Sequence, residues 1–211
     1  MVKLPTSFGL IAPFATWVAL MAALPATATA YAVRTAATAA LLAAVAASLR
    51  FKVESLKCWR WSDLALGLAV GMVVFVIWIL PEQFDWAWYR KWCIIGEGGT
   101  QAVAESAALM IAIRLIGSAF VISVAEELFF RKWLVEFAGF GWMLVLFGVE
   151  HMRFDLGTAR GSVFIAEGVF AGLCYGLLAK RYCILSAIIA HAVTNLILGL
   201  YVIGWDKWIY W

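Results

Sequence analysis

Apolar runs near or above the ~18-residue length of a membrane-spanning helix recur along almost the whole chain, and that recurrence restricts the fold more than any other feature. No stretch between the runs is long enough for a separate soluble domain. Hydrophobic residues make up 65% of the 211, charged residues only 14%, and the mean hydropathy is +0.94. The expected fold is all-α, a polytopic transmembrane helical bundle forming one integral membrane domain over residues 1–211.

Apolar length places seven spans near residues 8 to 29, 31 to 49, 63 to 81, 105 to 137, 141 to 156, 162 to 180 and 183 to 203. An eighth arises if the segment from Trp86 to Ile95 dips into the bilayer. Lys3, the apolar stretch behind it and Ala26 to Ala30 imitate a signal peptide. Pro13 and Pro25 interrupt that run and further spans follow at once, so a retained, kinked first helix is the expectation. With the N-terminus in the cytoplasm, nine cations (Lys3, Arg50, Lys52, Lys57, Arg60, Arg131, Lys132, Lys180, Arg181) lie on the cytoplasmic side. Six (Arg34, Arg90, Lys91, Arg153, Arg160, Lys207) lie on the other, a bias that favours this orientation. Tryptophans at the proposed helix ends, among them Trp59, Trp61, Trp205 and Trp208, suit the headgroup layer.

Several function classes fall away. The net charge of +3 is small and dispersed, so nucleic acid is not an expected partner. The four cysteines form no CxxC pair and no zinc-spaced cluster with histidine. No GxSxG nucleophile motif occurs, and Ser123, three residues before Glu126, reads as a local hydrogen-bonding group.

Ionisable or strongly polar groups inside the spans are costly and mark candidate sites. Here they are Arg114, Glu126, Glu127, Arg131, His151, Glu167, His191 and Asn195. Glu127 and Arg131 stand four apart on one helical face, in the order that favours an ion pair. Glu126 points about 100° away from Glu127 and is left for chemistry. The turn Ala138 to Gly141 would fold Glu126 and His151 back to nearly the same depth, about 18 to 20 Å from it. A second hairpin at Lys180 to Cys183 brings His191 and Asn195 to about 14 to 20 Å. Phe147, one turn before His151, would pack beside its ring, and Glu167 and Arg114 would either line the cavity or, the favoured reading, pair across helices.

A carboxylate shielded from water is a stronger base, and a neighbouring imidazole can hold the same water. Glu126 and His151 are therefore assigned to the water. His191 and Asn195, an imidazole and a carboxamide, can donate to a developing oxyanion. Glu126, His151 and His191 could instead ligate zinc, although no HExxH motif is present, and a metal-free site is favoured.

EELFFR (Glu126 to Arg131), FGVEH (Phe147 to His151) and HAVTN (His191 to Asn195) resemble, in order, the motifs EExxxR, FxxxH and HxxxN/D of the CPBP family of intramembrane proteases. That family includes CAAX prenyl endopeptidases and bacterial relatives linked to bacteriocin processing or immunity. The motif-bearing core runs over residues 105–204. The closing stretch HAVTNLILGLYVIG and the tryptophan-rich tail further resemble a CAAX prenyl protease-related branch associated with exosortase and PEP-CTERM sorting systems. The resemblance implies an intramembrane peptidase with Glu126 as base, His151 assisting, and His191 and Asn195 at the oxyanion. Its expected setting is a bacterial inner membrane, with membrane lipid around it and a peptide or protein substrate, such as a C-terminal sorting tail. The competing expectation is a non-proteolytic membrane protein, either a proton-relay transporter or an immunity or scaffold factor that retains the motifs.

Overall fold

The computed structural model describes residues 6–49, 60–83, 108–151 and 159–207. Among these residues the chain is helical throughout, with seven helices and no strand. They are α1 (Thr6–Ala23), α2 (Ala28–Leu49), α3 (Trp61–Gln83), α4 (Ala108–Ala138), α5 (Phe140–Glu150), α6 (Ala159–Arg181) and α7 (Ile184–Trp205). Helices α2, α3, α4, α6 and α7 contain stretches long and apolar enough to cross a membrane, whereas α1 and α5 are shorter. The all-α polytopic bundle anticipated from the apolar runs is the observed architecture. The segment from Trp86 to Ile95, proposed as an eighth span, lies outside the described residues.

Two boundaries differ from expectation. The first span was placed at 8 to 29 with a kink, but α1 stops at Ala23 and α2 starts at Ala28. Pro25 has no N–H to give and disfavours a helical residue before it. Thr27 then caps α2, its hydroxyl accepting from the Ala30 amide at 3.2 Å. Likewise the fifth span was placed at 141 to 156, but α5 ends at Glu150 and His151 forms the turn that follows.

In lipid the helices gain little from hiding apolar side chains from one another, so close packing of small residues holds them together. Gly67 and Gly71 form a small-xxx-small stripe on α3 that meets Ser186 and Ala190 of α7. A Cβ on Gly71 would come to 2.5 Å from the Ala190 carbonyl oxygen. Helix α6 approaches α5 in the same manner, since a Cβ on Gly168 would lie 3.0 Å from Gly148 Cα and 3.1 Å from His151 Cβ.

Helix α4 occupies the middle, against α1, α2, α5 and α7, while α7 packs on α3, α4 and α6. The main core cluster joins these elements through Phe14, Phe130, Leu134, Met143, Phe147 and Tyr175. Large apolar side chains on the outer faces, such as Leu68, Met72, Val73, Val145 and Leu177, are exposed, as a surface solvated by lipid tails requires. Arg34, counted above among loop cations, is instead buried, its guanidinium over the rings of Trp17 (5.3 Å) and Tyr31 (5.6 Å).

Candidate active site

The middle of α4 is not a regular α-helix. Gly117–Ile122 and Leu128–Leu134 are π-helical, and the short α-helical piece between them, Ser123–Glu127, carries both carboxylates of the EELFFR motif. π-helical turns are rare and concentrate at functional positions. The wider turn also frees a carbonyl: Ser118 O accepts from Ser123 Oγ (3.1 Å) and from Asn195 Nδ2 (3.0 Å), so α7 is tied to the wall of the site.

Glu127 is fully buried, and its Oε1 takes two partners. Arg131 Nη1 lies 3.1 Å away and His191 Nδ1 2.9 Å away. The pairing with Arg131 matches the four-residue spacing. The bond to His191 was not foreseen, since it joins residues 64 apart in the chain. Arg131 also lies over the Phe147 ring at 4.0 Å, so its charge is met by a carboxylate and by a π face.

Glu126 is 5% exposed, and its Oε2 makes no hydrogen bond. His191 Nε2 lies 3.7 Å from that oxygen. His191 is thus bonded to Glu127 through Nδ1 and turns Nε2 toward Glu126, and its face stacks on Tyr175 with centroids 4.9 Å apart. Tyr175 donates in turn to Thr194 Oγ1 (2.7 Å), which lies 2.9 Å from the Gly71 carbonyl oxygen of α3. A chain of contacts therefore fixes the imidazole plane from α3 through α6 and α7.

His151 sits on the turn after α5, where its Nδ1 donates to Phe147 O at 2.7 Å and lies 3.2 Å from Glu150 Oε2. Phe147 packs against the His151 ring (4.5 Å), and Trp78 of α3 meets the same ring edge-on at 5.4 Å. Glu126, His151, His191 and Asn195 all line one cavity of about 250 Å³. The antiparallel hairpin anticipated at Gly139 is made there by a residue with φ 87°, a conformation open to glycine at little cost.

Three features were not evident from the sequence. Asn195, expected to face an oxyanion, directs its Nδ2 to Ser118 O and to Ser123 Oγ (3.1 Å) while still lining the cavity. Glu167 is buried on α6, and its Oε2 makes no hydrogen bond. Arg114, its expected partner, lies instead over the Tyr31 ring at 4.8 Å. For metal binding, the described residues offer one set of three whose ligand atoms lie within 4.8 Å of one another, Glu126, Glu150 and His151. The set anticipated from the sequence was Glu126, His151 and His191; His191 bonds Glu127 through Nδ1, and its Nε2 lies 3.7 Å from Glu126 Oε2. Two carboxylates and an imidazole are a donor set a divalent cation can use.

Glu150, Tyr175, Thr194 and Trp78 escaped the sequence reading. Glu150 had a signal, a carboxylate at the end of a span beside His151. The other three are ordinary residues of apolar helices until the bundle assembles.

Fold and site together define a polytopic helical membrane protein with a carboxylate and imidazole centre enclosed inside the bundle. Residues 107–197 match the family described as type II CAAX prenyl endopeptidase, Rce1-like. That segment, which holds all three motifs, is similar to the CAAX protease family. No curated protein and no solved structure matches the chain.

Proposed function

We propose that the protein is a glutamate-type intramembrane endopeptidase that hydrolyses a peptide bond of a membrane-associated protein or peptide at the Glu126 cavity. The observation that carries this reading is the Glu126 carboxylate, buried, with an unsatisfied Oε2, in a cavity shared with both histidines. A buried carboxylate oxygen without a partner, on the wall of a cavity, can accept a hydrogen bond from water.

In the proposed reaction Glu126 takes a proton from that water as its oxygen attacks the scissile carbonyl. His151 holds the water, its tautomer set by Nδ1 donation to Phe147 O, which leaves Nε2 as acceptor. The tetrahedral oxyanion is met by His191 and Asn195. With His191 Nδ1–H on Glu127, donation from Nε2 requires the doubly protonated ring, which lies between the Glu127 carboxylate and that of Glu126, 3.7 Å from Nε2. Asn195 joins by exchanging its bond to Ser123 Oγ for the substrate oxygen, Ser123 keeping its bond to Ser118 O. The proton held by Glu126 then passes to the leaving amine.

The resemblance of the closing stretch to an exosortase-associated branch supports a C-terminal sorting tail as substrate in a bacterial inner membrane, and the cation bias supports an N-terminus in the cytoplasm. A metal-free site is preferred because the motif residues come from three helices and His191 is engaged with Glu127. The test is turnover of tail peptides by purified protein, wild type against Glu126→Gln and His151→Ala. Losses of about 10²- to 10⁴-fold are expected for Glu126→Gln, and equal turnover in all three defeats the reading. Inactivation by a chelator, reversed by zinc, would move the water onto a metal held by Glu126, Glu150 and His151.

A further inference from the structure

The cavity at Glu126 carries charge of one sign. Among the described residues its lining includes two carboxylates, Glu126 and Glu150, and neither lysine nor arginine. Arg131, close behind it, is engaged by Glu127 and lies over the Phe147 ring. A cleft lined by one sign of charge and walled by apolar groups gathers ligands of the opposite sign. That wall alone would name no ligand, since Glu126 has a role in the proposed chemistry and Glu150 lies beside His151.

The second observation is Glu167, a carboxylate that the proposed chemistry does not use. It is 7% exposed, its Oε2 makes no hydrogen bond, and Arg114, its expected partner, lies over the Tyr31 ring instead. On α6 it follows Phe164 by three residues and precedes Ala171 by four, and both of those line the cavity. The three therefore share one side of the helix. Side chains on a helix lean toward its N-terminal end, which directs the Glu167 carboxylate along that side toward Phe164. The span on α6 begins at Val163, so Glu167 stands about 6 Å inside it. Trp78, three residues before its own span ends at Pro81, meets Phe164 with centroids 6.2 Å apart. Two aromatic rings and a buried carboxylate without a partner thus mark the end of the cavity nearest that membrane face.

We propose that Glu167 is a specificity-determining residue that receives a lysine or arginine of the substrate near the bond cleaved at Glu126, a proposal that rests on the peptidase reading for the cleavage though not for the binding. An unpaired carboxylate inside a span is costly, and a cation carried in by the peptide offsets that cost. The methylene stem of a lysine or arginine packs along apolar walls while its head stays with a polar group, and the Trp78 and Phe164 rings offer both an apolar surface and a π face.

The experiment reads binding and turnover separately. Fluorescent tail peptides with one lysine set at successive positions, and the same peptides with glutamine there, are titrated by anisotropy into purified full-length Glu126→Gln protein, which leaves them intact, and into Glu126→Gln/Glu167→Gln. Wild type and Glu167→Gln are compared for kcat/KM on the same peptides. At one position the lysine peptide is expected to bind about tenfold more tightly than its glutamine twin, as one hydrogen bond between charged groups allows. That ratio is expected to fall to near one in the Glu167→Gln background and to persist in Glu167→Asp, with the kcat/KM ratio following it. Each ratio compares two peptides on one protein, so a change in the folded fraction cancels. Should Glu167→Gln fail to fold, Glu167→Met, similar in size and uncharged, takes its place. A lysine preference that depends on Glu167 without any cleavage by wild type upholds the binding site and defeats the peptidase reading. Lysine peptides bound no better than glutamine peptides at every position, or a preference unchanged when the Glu167 charge is removed, overturns the proposal.

Discussion

Glu127 joins the charge network to the candidate chemistry, because one of its oxygens holds both Arg131 and His191. Truncating one partner of a buried pair leaves the other charge uncompensated, at a cost of about 3–5 kcal/mol. Glu127→Ala is therefore expected to unfold far more readily than Glu127→Gln, whose amide oxygen can still accept from His191; thermal unfolding in detergent measures the difference. Glu150 is a different case, a partly exposed carboxylate beside His151 in the same cavity. Its replacement by Gln is expected to lower kcat about tenfold with little change in KM, through a less firmly held His151 ring. Steady-state kinetics on a cleavable tail peptide decide it. His151, His191 and both glutamates were legible as residues, since ionisable groups inside spans are rare enough to stand out. Their partners were not, because a bond across 64 residues leaves no trace in local spacing.

Helix α4 shows why the site needs its elements in this form. Its two π-helical pieces flank the Glu126 and Glu127 turn and expose the Ser118 carbonyl to Asn195. Neither piece was evident beforehand, as apolar residues follow one another there without a marked break in period. The contacts of α3 with α7 and of α5 with α6 depend on glycine at the crossing. Gly71→Ala would force its Cβ against the Ala190 carbonyl, which is backbone and cannot yield. A loss of about 1–3 kcal/mol is expected, measured by unfolding in detergent. Gly168→Ala should instead press on Gly148 and His151 and reduce turnover more than stability, which parallel activity and melting measurements would resolve.

Over the whole molecule, the matched segment 107–197 is not a complete site. Helix α3 lies outside it, yet supplies Trp78 to the cavity wall and the Gly71 carbonyl to Thr194. A fragment beginning at Ala108 is therefore expected to show no peptidase activity, and co-expression with residues 1–83 to restore part of it; cleavage of a tail peptide by membranes carrying either preparation is the readout. The sequence by itself determined the membrane-spanning all-α class, because hydrocarbon admits few folds and demands long apolar runs. It also determined which polar residues were out of place there, because each is costly to bury. Only the tertiary structure decided which of those residues meet. Glu127 takes Arg131 and His191 on one oxygen while Glu126 lines the cavity, and Glu150 lies close to both Glu126 and His151. These outcomes depend on where helices cross and which way side chains turn, distances of a few ångströms that spacing along one helix does not encode.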